Sequence, residues 1–464
     1  MTPRSERRPP WTTSVRRLLG PYGMLAILVV LCGLFSILTL REQEPSGDRA
    51  AHSLARILET RASSGERVLI VARPGEEEMR FAHRLNERLR AARITVVDVL
   101  VGDPPTLRAQ IERLAPDARQ SLLVASVSSY APTARAILDS FDDLRGTEIV
   151  VPPSYRWPTF LLRDNLRNVA NQIAVIAMVA VGMTLVILTG GIDLSVGSLI
   201  ALAAVVTTGL VTHLGAEQAG PGAVFLAGLV AVLLCGLSGA FSGFTITRFG
   251  VPPFIATLGM MQVASGVAYI LSKGRPIYQV PDTFTTLGRA SDPALGVPYA
   301  VWLMIALFAV AHVVMSRTVL GRYIYAVGGN AEAARLAGVR VKSVLLLVYI
   351  LCGMLAGFGG VVMASQLKSG APTYGLMYEL YVIAAVVVGG TSLSGGEGKV
   401  LGTLIGAFII AVIQNGMNLT NVESYTQKVV LGLVILGAVL LDRMKHFDWR
   451  RRRSSRGPRE EVAP

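Results

Sequence analysis

The chain has 464 residues, of which 52% are hydrophobic and only 16% charged, with 47 glycines, a mean hydropathy of +0.51 and a formal net charge of +13. That composition excludes an ordinary soluble globular protein and marks a membrane protein, where glycine serves close helix packing. The positive charge does not describe a nucleic-acid surface, because it is gathered at the two ends: Arg4, Arg7, Arg8, Arg16 and Arg17 precede the first apolar run, and Arg443, Lys445, Arg450, Arg451, Arg452, Arg453, Arg456 and Arg459 follow the last. This is the charge pattern of two cytoplasmic termini.

Residues 1–20 form a basic tail. The run at 22–40 is apolar and long enough to cross a bilayer, so 21–40 is read as an uncleaved first transmembrane helix rather than a signal peptide. Residues 41–157 change character, with dense charge and short apolar runs. Strands are expected at 67–72, 94–99, 121–126 and 148–151, and helices at 75–91, 104–115 and 131–145. Strands alternating with helices make a small parallel-sheet α/β domain, inserted after the first helix. The turn after its first strand leads into Glu76, Glu77 and Glu78, which repel a phosphate. Pro152, Pro153 and Pro158 read as a linker back to the membrane.

From 158 to 442 the chain is a membrane domain, with spans expected near 169–189, 196–213, 222–247, 254–272, 299–316, 343–366, 379–392, 400–419 and 427–441. With the first helix this gives about ten, an even number that returns both basic ends, 1–20 and 443–464, to one side. The same alternation puts the loop 317–342 inside, where Arg317, Arg322, Arg335, Arg340 and Lys342 face the single acid Glu332. It puts 41–157 and 273–298 outside. The spans at 254–272 and 379–392 are the weakest, and Pro252-Pro253 is placed to open a re-entrant helix.

The membrane domain is organised around Gly182–Leu202, GMTLVILTGGIDLSVGSLIAL, in which two apolar runs flank a Gly-Gly-Ile-Asp-Leu-Ser break. Non-helical backbone at membrane depth survives only where protein or a water-filled cavity satisfies its polar groups, and an acid such as Asp193 often marks a pathway. A short polar loop between two ordinary spans is the plain alternative. The stretch at 186–201 is echoed at 386–406, VVVGGTSLSGGEGKVLGTLIG, and paired interruptions of this kind point to a transport pathway. Two other motifs at 393–399, LSGGEGK, are decoys. Gly398-Lys399 lacks the preceding glycine and following hydroxyl of a phosphate-binding loop, and Leu393-Ser394-Gly395-Gly396-Glu397 lies between spans rather than in a soluble ATPase. The three cysteines, Cys32, Cys235 and Cys352, lie in apolar runs without disulfide or metal-site spacing. Catalysis and a metal site are therefore not expected.

In the loop 317–342, Asn330 is placed to cap a helix over 331–336 and Gly338 to end it, giving a short helix on the inner membrane surface. At this point four stretches, GMTLVILTGGIDLSVGSL, TLGMMQVASGV (257–267), LGRYIYAVGGNAEAARLAGV (320–339) and AAVVVGGTSLSGGEGKVLGTLIGA (384–407), resemble in order and spacing the permease subunits of bacterial ATP-binding-cassette sugar importers, the ribose type above all. The branched-chain amino acid permeases belong to the same broad superfamily. The resemblance covers residues 160–442 and implies a permease dimer in the bacterial inner membrane, a cytoplasmic ATPase pair that uses the ATP, and an external solute-binding protein. It also implies that Asn330, Glu332, Ala333, Ala334, Arg335 and Gly338 form the helix that docks on the ATPase. The insertion at 41–157 departs from the family's pattern.

The sequence therefore reads as a polytopic all-α membrane protein of about ten transmembrane helices with a small external α/β domain, importing a monosaccharide with no cofactor of its own. Polar residues at membrane depth expected to line or border the pathway are Asn171, Gln172, Thr184, Asp193, Ser195, Gln366, Glu379, Ser392 and Asn415. A permease for amino acids or another small polar solute, an ion-coupled secondary transporter and a membrane-bound sensor are the alternatives.

Overall fold

In a computed structural model of the protein, residues 23–61, 67–115, 119 and 122–446 are described, 441–446 by backbone alone. The basic tails expected at 1–20 and 443–464 thus lie outside the described residues, apart from 443–446. The chain divides into two compact units, 1–39 with 160–464, and 40–159.

Among the described residues of the first unit, seven helices are long and apolar enough to cross a bilayer: Arg163–Leu188, Val196–His213, Pro221–Phe249, Pro253–Ser272, Tyr299–Arg317, Val341–Leu367 and Val400–Leu419. Three shorter apolar helices are Gly23–Leu38, Tyr378–Val388 and Ser424–Leu440. The labels follow the chain, with α1 at Gly23–Leu38.

The unit 40–159 opens with β1 (Leu40–Gln43) and continues α2 (Gly47–Arg61), β2 (Arg67–Ala72), α3 (Glu76–Ala91), β3 (Thr95–Val101), α4 (Pro104–Glu112), β4 (Leu122–Ser126), α5 (Ala131–Leu138), β5 (Ile149–Val150) and β6 (Tyr155–Pro158). Strands β3-β2-β4-β5 form a parallel sheet in that order, with a register shift between Val68 and Leu69. The chain reverses direction across the sheet at β3, and the right-handed rule for parallel crossovers then puts α3 and the α4–α5 pair on opposite faces, which accords with the continuous burial of β2 and β4. Tyr130, after β4, donates its hydroxyl to Gly102 O after β3 at 2.8 Å and so reaches over the carboxyl end of β2. The linker expected around Pro158 is instead a strand. β6 pairs antiparallel with β1, Leu40 opposite Pro158 and Gln43 opposite Tyr155, and closes the unit at its base.

The first unit resumes with α6 (Arg163–Leu188), α7 (Val196–His213), α8 (Pro221–Phe249), α9 (Pro253–Ser272), the one-turn α10 (Thr286–Arg289), α11 (Tyr299–Arg317), α12 (Val319–Gly329), α13 (Ala331–Leu336), α14 (Val341–Leu367), α15 (Tyr378–Val388), α16 (Val400–Leu419) and α17 (Ser424–His446). α6 is the centre, buried almost continuously from Ile173 to Leu188, and α14 packs on α6, α7 and α8. Between apolar helices in lipid, association depends on close backbone approach rather than hydrophobic expulsion. Glycine supplies it here. A Cβ at Gly239 would lie 2.2 Å from Tyr349 O, and one at Gly353 2.3 Å from Cys235 O. Gly402 and Gly406 face Gly389 O and Ala385 O in the same way, at 2.3 and 2.0 Å. These small-residue pairs are packing seams and not lipid-facing surface.

Three expectations change. α9 is a full 20-residue helix despite the prolines that start it, because prolines at a helix entrance give up no needed hydrogen bond. The weak span at 379–392 is an 11-residue helix, about 16 Å long, too short to cross a hydrocarbon core of about 30 Å. The loop 317–342 holds two helices, since Thr318 caps α12 through Gly321 N (3.3 Å) ahead of α13.

Candidate functional site: two interrupted helices

The break at 189–195 and its echo end their helices identically. In α6, Gly191 N donates to Val186 O (3.0 Å) and Gly190 N to Ile187 O (2.9 Å), with Gly190 at φ +78°. In α15, Thr391 N donates to Val386 O (3.2 Å) and Gly390 N to Val387 O (2.9 Å), with Gly390 at φ +89°. Both are the left-handed glycine stop that satisfies the last carbonyls of a helix. The sequence echo thus has one physical cause.

Beyond the first stop, Asp193 holds the chain for re-entry into α7. Its Oδ1 accepts from Ser195 N (2.9 Å) and Ser195 Oγ (2.6 Å), a side-chain turn that supplies what a helical neighbour would. Asp193 is fully buried, with the Cys352 thiol also directed at its carboxyl, and the nearby Tyr349 hydroxyl has no hydrogen-bond partner among the described residues. A Cβ at Gly191 would lie 2.4 Å from that hydroxyl. Leu194 N donates to Thr257 Oγ1 of α9 (3.1 Å), a partner 63 residues away that no local pattern reveals.

A second irregular segment, 368–377, enters from the other end of α7. Ile277 and Gly370 pair through both main-chain bonds (2.8 and 3.0 Å). A Cβ at Gly370 would lie against Ala204 O and Thr208 Oγ1, and one at Gly375 against Gly197 O and Ile200. From 370 to 375 the chain therefore runs antiparallel beside α7 for some eight of its residues, about 12 Å, before α15 starts. Gly375 (φ +70°) and Met377 (φ +69°) make the turn into α15, and a left-handed methionine is a strained conformation of the sort found at functional sites. Glu379 follows in the first turn. Its Oε2 occupies the space a Cβ at Gly197 would take, 2.3 Å away. The carboxylate is half-buried and has no partner side chain among the described residues. The starts of α7 and α15 meet here, so two helix N-termini and one unpaired acid share one place.

The other expected pathway residues fall into separate groups. Asn171 Nδ2 donates to Gly288 O (3.1 Å), and Gln366 Nε2 donates to Asn171 O (2.8 Å) and Oδ1 (3.2 Å), joining α6, α10 and α14. Beside them Arg289 Nε donates to Gln366 O at 2.6 Å, and Lys368 hydrogen-bonds Asp282, holding that carboxyl below its usual range. Gln172 is exposed. Asn165 and Asn415 exchange hydrogen bonds (2.9 and 3.0 Å) between α6 and α16, and Thr184 meets Thr403 across the same pair of helices at 2.8 Å. Ser392 is buried in the second break, where its Oγ accepts from Ser394 N at 3.3 Å. The Asn171–Gln366, Asn165–Asn415 and Thr184–Thr403 pairs are clamps between helices, whereas Glu379 stands apart in having capacity to spare.

At 328–338, Asn330 Oδ1 accepts from Ala333 N (2.9 Å), capping α13. Glu332 and Arg335 form an exposed ion pair at 2.6 Å, and Gly338 takes φ +86°. Ala333 is exposed and Leu336 is 77% exposed. Ala334, expected on the outward face, is 5% exposed and packs into the chain's own core, because it falls opposite Leu336 on one helical turn. The decoy loop is closed to phosphate. Gly396 N is spent on Leu188 O (2.9 Å), and main chain at 190 and 328–329 covers Gly395 and Gly396.

A bundle of apolar spans with two interrupted helices meeting beside a half-buried acid is the architecture of a membrane permease. Residues 165–439 match the family of branched-chain amino acid transport system permease components, and the chain belongs to that family. It is 45% identical over 293 residues to the ribose import permease of Escherichia coli K12, covering 62% of this chain and 88% of that one. Identity to the ribose import permease of Bacillus subtilis 168 is 42% over 299 residues, 64% and 90% of the two chains. To the L-arabinose transport system permease of E. coli K12 it is 39% over 288 residues, 62% and 85%. No solved structure matches the chain.

Proposed function

We propose that the chain is the membrane-spanning subunit of an ATP-driven importer for a monosaccharide of the ribose or arabinose kind. The observation that carries this is the 45% identity to a ribose import permease over 88% of its length. In this reading α1, α15 and α17 join the seven long helices to make ten crossings, with the irregular segment 368–377 completing the path of α15. Both termini face the cytoplasm and 40–159 lies outside. Two copies form the pathway, a solute-binding protein delivers the sugar outside, and α13 docks on an ATPase inside. The chain itself catalyses no reaction and holds no cofactor. Glu379 accepts hydrogen bonds from sugar hydroxyls, for which an unpaired carboxylate at membrane depth is suited. Supporting this is its position where the starts of α7 and α15 meet. Asn171, Gln172 and Gln366 border the outer part of the path, and Thr184, Asp193, Ser195, Ser392 and Asn415 hold its walls.

Reconstitution tests the reading. Proteoliposomes with the permease, its ATPase and its binding protein take up labelled ribose or arabinose only with ATP on the ATPase side. Uptake by the purified permease alone under a proton or sodium gradient gives the answer to the secondary-transporter alternative. Uptake of branched-chain amino acids but no sugar gives it to the other branch of the family.

A further inference from the structure

Three glycine pairs from distant parts of the sequence converge, with Gly190, Gly328, Gly329, Gly395 and Gly396 in main-chain contact. They are Gly190-Gly191 at the end of α6, Gly328-Gly329 at the end of α12, and Gly395-Gly396 in the second break. Gly396 N donates to Leu188 O at 2.9 Å, taking a carbonyl that the end of α6 leaves open. Gly328 lies on that hydrogen bond: a Cβ there would be 1.7 Å from Leu188 O and 2.6 Å from Gly396 N. A Cβ at Gly395 would be 3.0 Å from both Gly190 N and Gly328 O, and one at Gly396 2.8 Å from the Gly329 Cα. Gly395 and Gly396 are both left-handed, at φ +82° and +75°. One turn earlier on α12, Tyr325 donates its hydroxyl to Gly398 O at 2.8 Å. One residue after Gly329, Asn330 caps α13.

Contacts made by side chains absorb small displacements through rotamer changes. Main chain pressed on main chain has no such slack, so a shift of α12 must shift both partners. We propose that Gly328, Gly396 and Tyr325 are positioning residues that tie the α12–α13 element to both interrupted segments at once, so that one movement of α13 reaches 189–195 and 389–399 together. This rests on the reading that α13 docks on the ATPase. It goes further in naming where the motion is delivered. Each break leads into a helix, α7 or α16, and α7 starts beside Glu379 of α15, so the junction joins the energy source to the acid proposed to meet the sugar.

The test uses the complex of permease and ATPase in nanodiscs, with Ser198→Cys in the first turn of α7 as a reporter. Its maleimide labelling rate is measured without nucleotide and with ATP plus vanadate, after subtraction of labelling in the parent. With the junction intact the rate changes by about fivefold or more, the lower range of a coupling between sites. In Gly328→Ala, whose methyl forces the main chains apart, that change is lost, and in Tyr325→Phe, which removes one hydrogen bond at constant shape but leaves the main-chain contact, it is reduced, while the complex and its ATP hydrolysis persist in both. A nucleotide-dependent change of the same size in both variants overturns the junction, as does its absence in the reporter complex. If Gly328→Ala does not assemble, Tyr325→Phe decides alone. A wild-type permease that neither holds an ATPase nor takes up sugar overturns the proposed function instead, which separates the two failures.

Discussion

The two acids beside α7 have opposite environments, and this separates their roles. Asp193 is fully buried and spends Oδ1 on Ser195, whereas Glu379 is half-buried with no partner side chain. Asp193→Asn keeps the accepting oxygen, so the turn into α7 survives and uptake per folded molecule stays near wild type. Asp193→Ala strands the Ser195 amide in a buried site, costing about 1–3 kcal/mol, visible as a lower melting temperature in detergent. Glu379→Gln keeps size and folding but removes the charge. Hydrogen bonds to charged groups contribute about 1.5–3 kcal/mol, so KM for the sugar rises by about tenfold or more at unchanged melting temperature. A loss of uptake in Asp193→Asn with normal KM in Glu379→Gln would exchange the two assignments. Both acids were visible in the sequence as charges at membrane depth. Their difference was not, because it depends on Gly375 and Gly197 coming together from opposite ends of an antiparallel pair.

Among the elements, α13 shows what a local pattern can and cannot give. The cap at Asn330, the helical run and the stop at Gly338 are local chemistry and form where the sequence places them. Which face points outward depends on the bundle beneath, and it leaves Leu336 exposed while it buries Ala334. Ala334→Asp therefore places a charge in the permease's own core, costs several kcal/mol and lowers the amount in the membrane. Leu336→Asp is the informative change. It leaves the permease at normal level, since exposed substitutions usually stay within about 0.5 kcal/mol, but weakens ATPase co-purification and abolishes ATP-driven uptake. Wild-type uptake in Leu336→Asp would make α13 a plain connector. Seven of the expected spans were legible because about twenty apolar residues have one cheap conformation in lipid, whereas the one expected at 379–392 is a short helix. The strands β2 to β5 also form near the expected runs. Hidden from local reading were α12, the irregular entry at 368–377 and the β1–β6 pair, whose partners are over a hundred residues apart.

For the whole molecule, the unit 40–159 lies wholly outside the family match, which covers residues 165–439. It has its own buried core, built on β2 and β4, so it folds around a centre separate from that of the permease bundle. The carboxyl edge of its sheet, where parallel α/β folds usually hold ligands, is bridged by Tyr130 over β2. In the proposed orientation the unit stands on the side where the binding protein arrives. The β1–β6 register offers a clean excision, because Gln43 lies opposite Tyr155. Replacing 44–154 with Asn-Gly closes a two-residue hairpin without disturbing the strands that flank it. If the unit takes part in docking, the excised permease transports normally at saturating binding protein, while the concentration needed for half-maximal uptake moves by about fivefold or more. A passive spacer leaves that concentration unchanged. Single cysteines at Ser46 and Ser454, compared for maleimide labelling from outside intact cells, check the orientation on which the argument stands: Ser46 labels and Ser454 does not. Equal labelling of the two would remove the unit from the binding protein's side and, with it, the docking role.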